Sequence, residues 1–255
     1  MTIALPARAK LNLDLAVLGR RDDGFHDIRT TLQAIDLHDL ITLIPADQTT
    51  LTITGIEVPN TPNNSVLKAH AALESAVKKD LPTEIQLHKR IPSGSGMGGA
   101  SADAATTLRG LAALYKISTD LTSIARELGA DVPFFLTGGT AIADERGDRL
   151  TPIPTAPQWF AIAWPGIELL TRDVYVAWDQ MPETTGANQL TEAAMQVKPE
   201  LKTFAASLGR DWQMTGSGSA FLRRCTDDES AHECTSSLSH LKCWTAVAQA
   251  IGPWA

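Results

Sequence analysis

At 255 residues, with 44% hydrophobic and 20% charged content, the chain is long enough for one or two domains with a sizeable core. A net charge of −7, with no cluster of five or more basic residues, argues against nucleic acid and against anionic membrane surfaces as partners. No apolar run is long enough to span a bilayer, the first residues do not read as a signal peptide, and Cys225, Cys234 and Cys243 are spaced for neither a disulfide framework nor a zinc site, so a cytoplasmic setting is expected.

Residues 10–15 alternate, which predicts a strand with Leu11, Leu13 and Leu15 on one face and Lys10, Asn12 and Asp14 on the other. Without further context Lys10 reads as a solvated edge lysine. The run Arg20-Arg21-Asp22-Asp23-Gly24 is a turn signal, followed by a second alternating region and a strand over 36–44. The β-branched stretch 49–56 predicts another strand, Asn63-Asn64-Ser65 caps a helix over 66–77, and 84–88 is a short strand.

A glycine-rich loop over 91–99 runs straight into an alanine-rich helix that continues through Leu108 and Leu111. Gly94, Gly96, Gly98 and Gly99 let backbone N–H groups approach an anion at a helix N-terminus, and Ser95 and Ser101 offer hydroxyls. No lysine follows the glycines as in a Walker loop, and no acidic residue stands where a dinucleotide fold needs one.

Helix 121–128 stops at Gly129, and Asp131-Val132-Pro133 starts another, with Asp131 as a plain N-cap in the bland reading. Residues 138–153 predict a hairpin turning at Arg146-Gly147-Asp148. Pro152, Pro154 and Pro157 mark a boundary, so two lobes are expected, 1–153 and 154–255. In the second, 159–164 is a short apolar strand, and two helical regions flank a glycine-serine turn over 214–222 that enters a strand. The fold class is α+β.

Three segments together resemble the GHMP kinases, which phosphorylate small metabolites: Pro6-Ala7-Arg8-Ala9-Lys10-Leu11-Asn12-Leu13, the loop from Pro92 to Ala105, and Thr215-Gly216-Ser217-Gly218-Ser219-Ala220. Within that superfamily, Asp23-Gly24-Phe25-His26 and Leu128-Gly129-Ala130-Asp131-Val132-Pro133-Phe134-Phe135 are similar to the kinases that act on a cytidine-diphosphate sugar alcohol of non-mevalonate isoprenoid precursor synthesis. The resemblance implies a ribosomal-protein-like βαβ N-terminal lobe, a ferredoxin-like C-terminal lobe and a site in the cleft between them. It implies ATP with Mg²⁺, small molecules as the only partners, and a monomer or weak homodimer. Lys10 and Asp131 become the catalytic pair. Asn64, Lys89, Pro92, Gly94, Ser95, Gly96, Met97, Gly98, Gly99, Ala100 and Ser101 fall on the ATP side, and Asn12, Phe25, His26, Tyr175, Gly216 and Ser217 on the acceptor side.

Four positions depart from the family pattern: Phe25 where tyrosine is usual, Ala100 for a glycine, a charged Asp14 at an apolar position, and Ser65 for a leucine. None removes a group the chemistry requires. A homoserine- or mevalonate-type kinase, or a non-catalytic nucleotide-binding protein on the same fold, are the alternatives.

Overall fold

The computed structural model describes residues 1–58, 61, 63–181 and 184–254. Its first sheet is organised around one long strand. β1 (Ile3–Asn12) and β2 (Ala16–Arg20) both pair antiparallel with β3 (His26–Pro45). The far half of β3 also pairs with β5 (Thr83–Lys89), and its near half with β6 (Thr140–Glu145). β4 (Thr50–Gly55) lies parallel to β5, which requires a crossover; α1 (Ser65–Val77) supplies it. Asn64 caps α1 by accepting a hydrogen bond from the Val66 N–H at 3.0 Å. β7 (Arg149–Ile153) closes the predicted hairpin on β6.

The expected strand over 10–15 is corrected. β1 ends at Asn12; the Leu13 N–H turns to the Thr31 carbonyl, and Leu15 leaves the sheet to bridge Asn188. A register shift between Arg8 and Lys10 re-aims the end of the strand. Lys10 and Asn12 are consequently buried, not solvated. Asp14 keeps its charge at the surface, accepting from the Thr31 N–H (2.6 Å) and hydroxyl (2.7 Å).

α2 (Gly99–Leu114) packs its alanine-rich face across β1 and β3, and α3 (Leu121–Leu128) and α4 (Phe134–Thr137) cover the same core. The helix expected from Asp131 begins at Phe134 instead. Between α3 and α4 the chain makes successive tight turns, Val132 N–H to Gly129 carbonyl and Phe135 N–H to Val132 carbonyl. Asp131 therefore caps nothing, and its side chain is released toward the cleft.

The second sheet comprises β8 (Trp159–Trp164), β9 (Gln213–Met214), β10 (Phe221–Cys225) and β11 (Trp244–Gln249), in the order β11-β8-β10-β9, all antiparallel. With α5 (Thr171–Trp178), α6 (Thr191–Val197) and α7 (Glu200–Leu208) between the first two strands and α8 (Asp228–Ser236) between the last two, this is the ferredoxin-like arrangement. Ala9, Leu11 and Ile35 of the first sheet pack directly on Phe160, Ile162, Leu222 and Ala248 of the second. The chain then returns: the Ile251 N–H donates to the Ala34 carbonyl, and the Trp254 N–H to that of Thr137. Among the described residues no helix is long and apolar enough to cross a membrane.

Because β3 carries the first sheet, Leu32→Ala, buried at its centre, should cost about 2–5 kcal/mol. Leu18→Ala, on an exposed position of β2, should stay within about 0.5 kcal/mol. Urea denaturation with an unchanged m value checks both, and equal losses would contradict this layout.

Candidate active site

A cleft of about 1090 Å³ is walled on one side by strands and loops of the first sheet and on the other by residues 169–179, which include α5, and the 216–218 turn. Its floor is the loop 91–98. Gly98 precedes α2 with φ at 73°, a left-handed conformation that suits glycine, and a Cβ there would stand 2.7 Å from the Phe135 ring and 3.1 Å from Lys10 Cγ. The first N–H groups of α2 open into the cleft without intrahelical partners, at the positive end of the helix dipole.

This loop is interlocked with the 214–220 turn. A Cβ on Gly96 would lie 2.5 Å from the Thr215 carbonyl oxygen and 2.9 Å from that of Gly218. The Ala220 N–H donates to the Ser95 carbonyl at 2.9 Å. The side chains of Met97 and Ser95 are engaged within the protein, although Ser95 also lines the cleft. The Met97 side chain lies in the core with Ala9 and Leu11, leaving its carbonyl to accept from the Lys10 N–H, and Ser95 Oγ donates to the Pro92 carbonyl. Pro92, Gly94, Gly99, Ala100 and Ser101 line the cleft.

Lys10 and Asp131, distant in sequence, meet here. Lys10 Nζ lies 3.8 Å from Asp131 Oδ2 and donates to Asn12 Oδ1 at 2.5 Å. Lys10 is 4% exposed, while the Asp131 side chain is 40% exposed. Burial lowers the Lys10 pKa, and the Asp131 carboxylate opposes this only in part. Asn12 donates from Nδ2 to Thr30 Oγ1, and its N–H donates to Thr215 Oγ1, both at 2.8 Å. Gly216 packs over Lys10 and Asn12. Asn188 holds that turn from behind, donating from Nδ2 to the carbonyls of Met214 and Gly216, both at 2.8 Å. Asn188 Oδ1 also accepts from the Leu190 N–H just ahead of α6, and no motif in the sequence marks this residue.

At one end of the cleft, His26 Nε2 lies 2.6 Å from Asp179 Oδ1, and its ring stacks on Tyr175 at 4.7 Å and meets Trp178 edge-on. The structure thus brings Tyr175 to His26. Trp178 and Asp179, their companions on and just after α5, carry no motif of their own. Burial, with the nearby Asp131 charge, pushes the Tyr175 hydroxyl pKa up. Phe25 is 53% exposed, with the Arg146 guanidinium 5.2 Å from its ring centroid. Ser217 Oγ pairs with Thr171 Oγ1 at 2.9 Å.

At the other end stand Asn64, the cap of α1, and Lys89. The Lys89 ammonium is committed to two buried carboxylates, donating to Asp39 Oδ2 at 2.5 Å and Asp103 Oδ2 at 2.8 Å. Among the described residues, no group of three or more His, Cys, Asp or Glu side chains could hold a metal ion. The three cysteines are free and lie away from the cleft, with Cys225 and Cys234 Sγ atoms 3.9 Å apart.

Comparison with known proteins agrees with this geometry. The family described as GHMP kinases N terminal domain matches residues 64–139. The 4-diphosphocytidyl-2-C-methyl-D-erythritol kinase of Aromatoleum aromaticum is 32% identical over 259 residues, covering 94% of this chain and 91% of that one. That of Deinococcus radiodurans is 39% identical over 189 residues; the match covers 72% of this chain and 63% of the relative, under two thirds of its length. A crystal structure of 4-(cytidine 5'-diphospho)-2C-methyl-D-erythritol kinase superposes with a TM-score of 0.83 at 33% identity, covering 98% of this chain and all of that one.

Gly98→Val should lower the affinity for magnesium-ATP at least about tenfold, because the branched side chain opposes the left-handed backbone and pushes on Phe135 and Lys10. Calorimetric titration of the folded variant checks this; unchanged affinity would mean that the loop is not the phosphate site.

Proposed function

Because this chain belongs to the GHMP kinases, in the family of 4-diphosphocytidyl-2-C-methyl-D-erythritol kinases, we propose that it transfers the γ-phosphoryl group of ATP to a hydroxyl of 4-diphosphocytidyl-2-C-methyl-D-erythritol, a step in non-mevalonate isoprenoid precursor synthesis. The observation that carries the mechanism is the Lys10–Asp131 pair, held beside the N-terminus of α2 by two interlocked glycine turns.

Phosphoryl transfer asks a protein mainly for positioning and charge stabilisation. The N–H groups at the start of α2 hold the β- and γ-phosphates. Magnesium would arrive with the triphosphate as part of the substrate, since this ion is commonly shared with substrate phosphates. Asp131 orients the acceptor hydroxyl and takes its proton. A carboxylate is a weak base for an alcohol, so the proton moves late, as negative charge leaves that oxygen. Lys10, buried and fixed by Asn12, stabilises the charge that develops between donor and acceptor.

The acceptor's base lies against Phe25, whose open ring suits stacking, while His26, fixed by Asp179, and Tyr175 form the wall behind it. The presence of two separate sheets supports a division into residues 1–153 and 154–255, with the reaction in the cleft between them. The acidic net charge supports small molecules over nucleic acid as partners, and a cytoplasmic monomer or weak homodimer is the setting that suits such a kinase.

ADP formation assayed with 4-diphosphocytidyl-2-C-methyl-D-erythritol against homoserine and mevalonate tests the substrate; turnover of either alternative in its place would overturn this reading. Asp131→Asn should fold, bind ATP normally and lose about 10²–10⁴-fold in kcat. Lys10→Met should also lower kcat, and the double variant should lose far less than the product of the two single losses; multiplicative losses would mean that the two do not act as a unit. For Phe25→Ala, steady-state kinetics should show a rise in acceptor KM with little change for ATP, because a base–aromatic stack worth about 1–3 kcal/mol is lost. Equal effects on both substrates would point to a folding role.

A further inference from the structure

The three charged residues Asp39, Lys89 and Asp103 lie beside the phosphate loop, and the transfer mechanism does not use them. They are 0%, 5% and 2% exposed. Asp39 on β3 reaches the entrance of the loop: its Oδ1 accepts the N–H groups of Arg90 at 2.5 Å and Ile91 at 2.9 Å. Asp103 stands in the second turn of α2, the exit of the same loop. Lys89, at the end of β5, bridges the two. The loop is thereby anchored at both ends by one buried ammonium.

That cluster does not balance. Two carboxylates against one ammonium leave a negative charge in excess, in a place that excludes water, when both are ionised. Asp103 Oδ1 is buried and has no hydrogen-bond partner, so one oxygen of the pair is poorly supported as an anion. Burial holds the Asp103 pKa up, as does the neighbouring Asp39, and with Lys89 opposing them it stands at about 7. Lys10 of β1, Lys68, His70 and Glu74 of α1 and Arg126 of α3 belong to elements packed on α2, and none forms an ion pair or hydrogen bond with Asp103. Lys89 and Asp39 are the groups that act on it.

We propose that Asp39, Lys89 and Asp103 are positioning residues for the nucleotide, and that Asp103 takes up a proton from solvent when a triphosphate binds at the N-terminus of α2. This rests on the reading of the 91–98 loop as the ATP phosphate site. A triphosphate at that helix end meets an ionised Asp103 one turn further along as a like charge, whereas a neutral Asp103 leaves the helix dipole unopposed. By linkage, the ligand that favours the protonated form binds less tightly as the proton is lost. Affinity for magnesium-ATP should therefore be highest on the acid side and decline as pH rises through about 7.

The test is calorimetric binding of magnesium-ATP to the whole protein without acceptor, in two buffers of different ionisation heat. Uptake of a fraction of a proton is expected near neutral pH, with a roughly three- to tenfold loss of affinity from about pH 6.5 to about pH 8.5. Asp103→Asn, equal in shape and permanently neutral, should bind without proton uptake and with a flat pH profile. Lys89→Met, which leaves both carboxylates without their cation, should raise the ATP KM on the order of tenfold and leave the acceptor KM unchanged. Should Asp103→Asn fail to fold, the carboxyl carbon resonance of Asp103 in the unaltered protein replaces it, titrating near neutrality when free and higher with nucleotide bound. Binding with no proton uptake, equal uptake in Asp103→Asn, or titration of Asp103 in the ordinary carboxylate range would overturn the proposal alone. Failure of the unaltered protein to bind magnesium-ATP would overturn the assignment of the loop, and the proposal with it.

Discussion

The close approach of two glycine turns governs this molecule. Gly96 sits where any side chain would strike the Thr215 carbonyl, and the Ser95 carbonyl accepts the Ala220 N–H, so a loop of the first sheet and a turn of the second share one packed backbone layer. The end of β1 is stitched into both: the Lys10 N–H to the Met97 carbonyl, the Asn12 N–H to Thr215 Oγ1. The position of Lys10 is therefore a property of three backbone segments at once. That suits a group which must meet charge at a fixed place, since little reorganisation is left to be done during reaction.

The two buried lysines show how the same residue type is given two roles. Lys10 faces one half-exposed carboxylate at 3.8 Å, and burial prevails, so its pKa falls. Lys89 touches two carboxylates, and although burial opposes it, their combined charge raises its pKa. Lys10, fixed by Asn12, faces one half-exposed carboxylate beside the cleft, whereas Lys89 is clamped between two buried anions and holds the chain. Charge count within hydrogen-bond distance, more than depth of burial, separates the two lysines.

Distant segments also join at the His26 end of the cleft. His26 opens β3, while Tyr175, Trp178 and Asp179 come from α5 and its end, and a 2.6 Å contact with stacked rings joins them. Under the proposed function, a base entering beside Phe25 would meet a wall made by β3 and α5 together.

Local chemistry was legible where it was self-sufficient. The Asn64 cap, the hairpin turning at 146–148 and the helix after the glycine loop follow from capping residues, turn residues and hydrophobic period, while the three ordered motifs carried the resemblance to the GHMP kinases, which implied the ferredoxin-like order of the second sheet. Alternation over 10–15 could not reveal that β1 stops at Asn12, because the capture of Leu15 depends on a loop beyond residue 180. Nor could Pro133 tell a helix start from the turns that release Asp131, or a motif tell that Met97 faces the core and that the Lys89 ammonium is already bound by Asp39 and Asp103. The sequence by itself determined which residue types stand in the loop and at the two ends of the cleft. Only the tertiary structure decided which of them share a space, because burial, ion pairing and the pKa values that follow are set by groups that the chain brings together from distant positions.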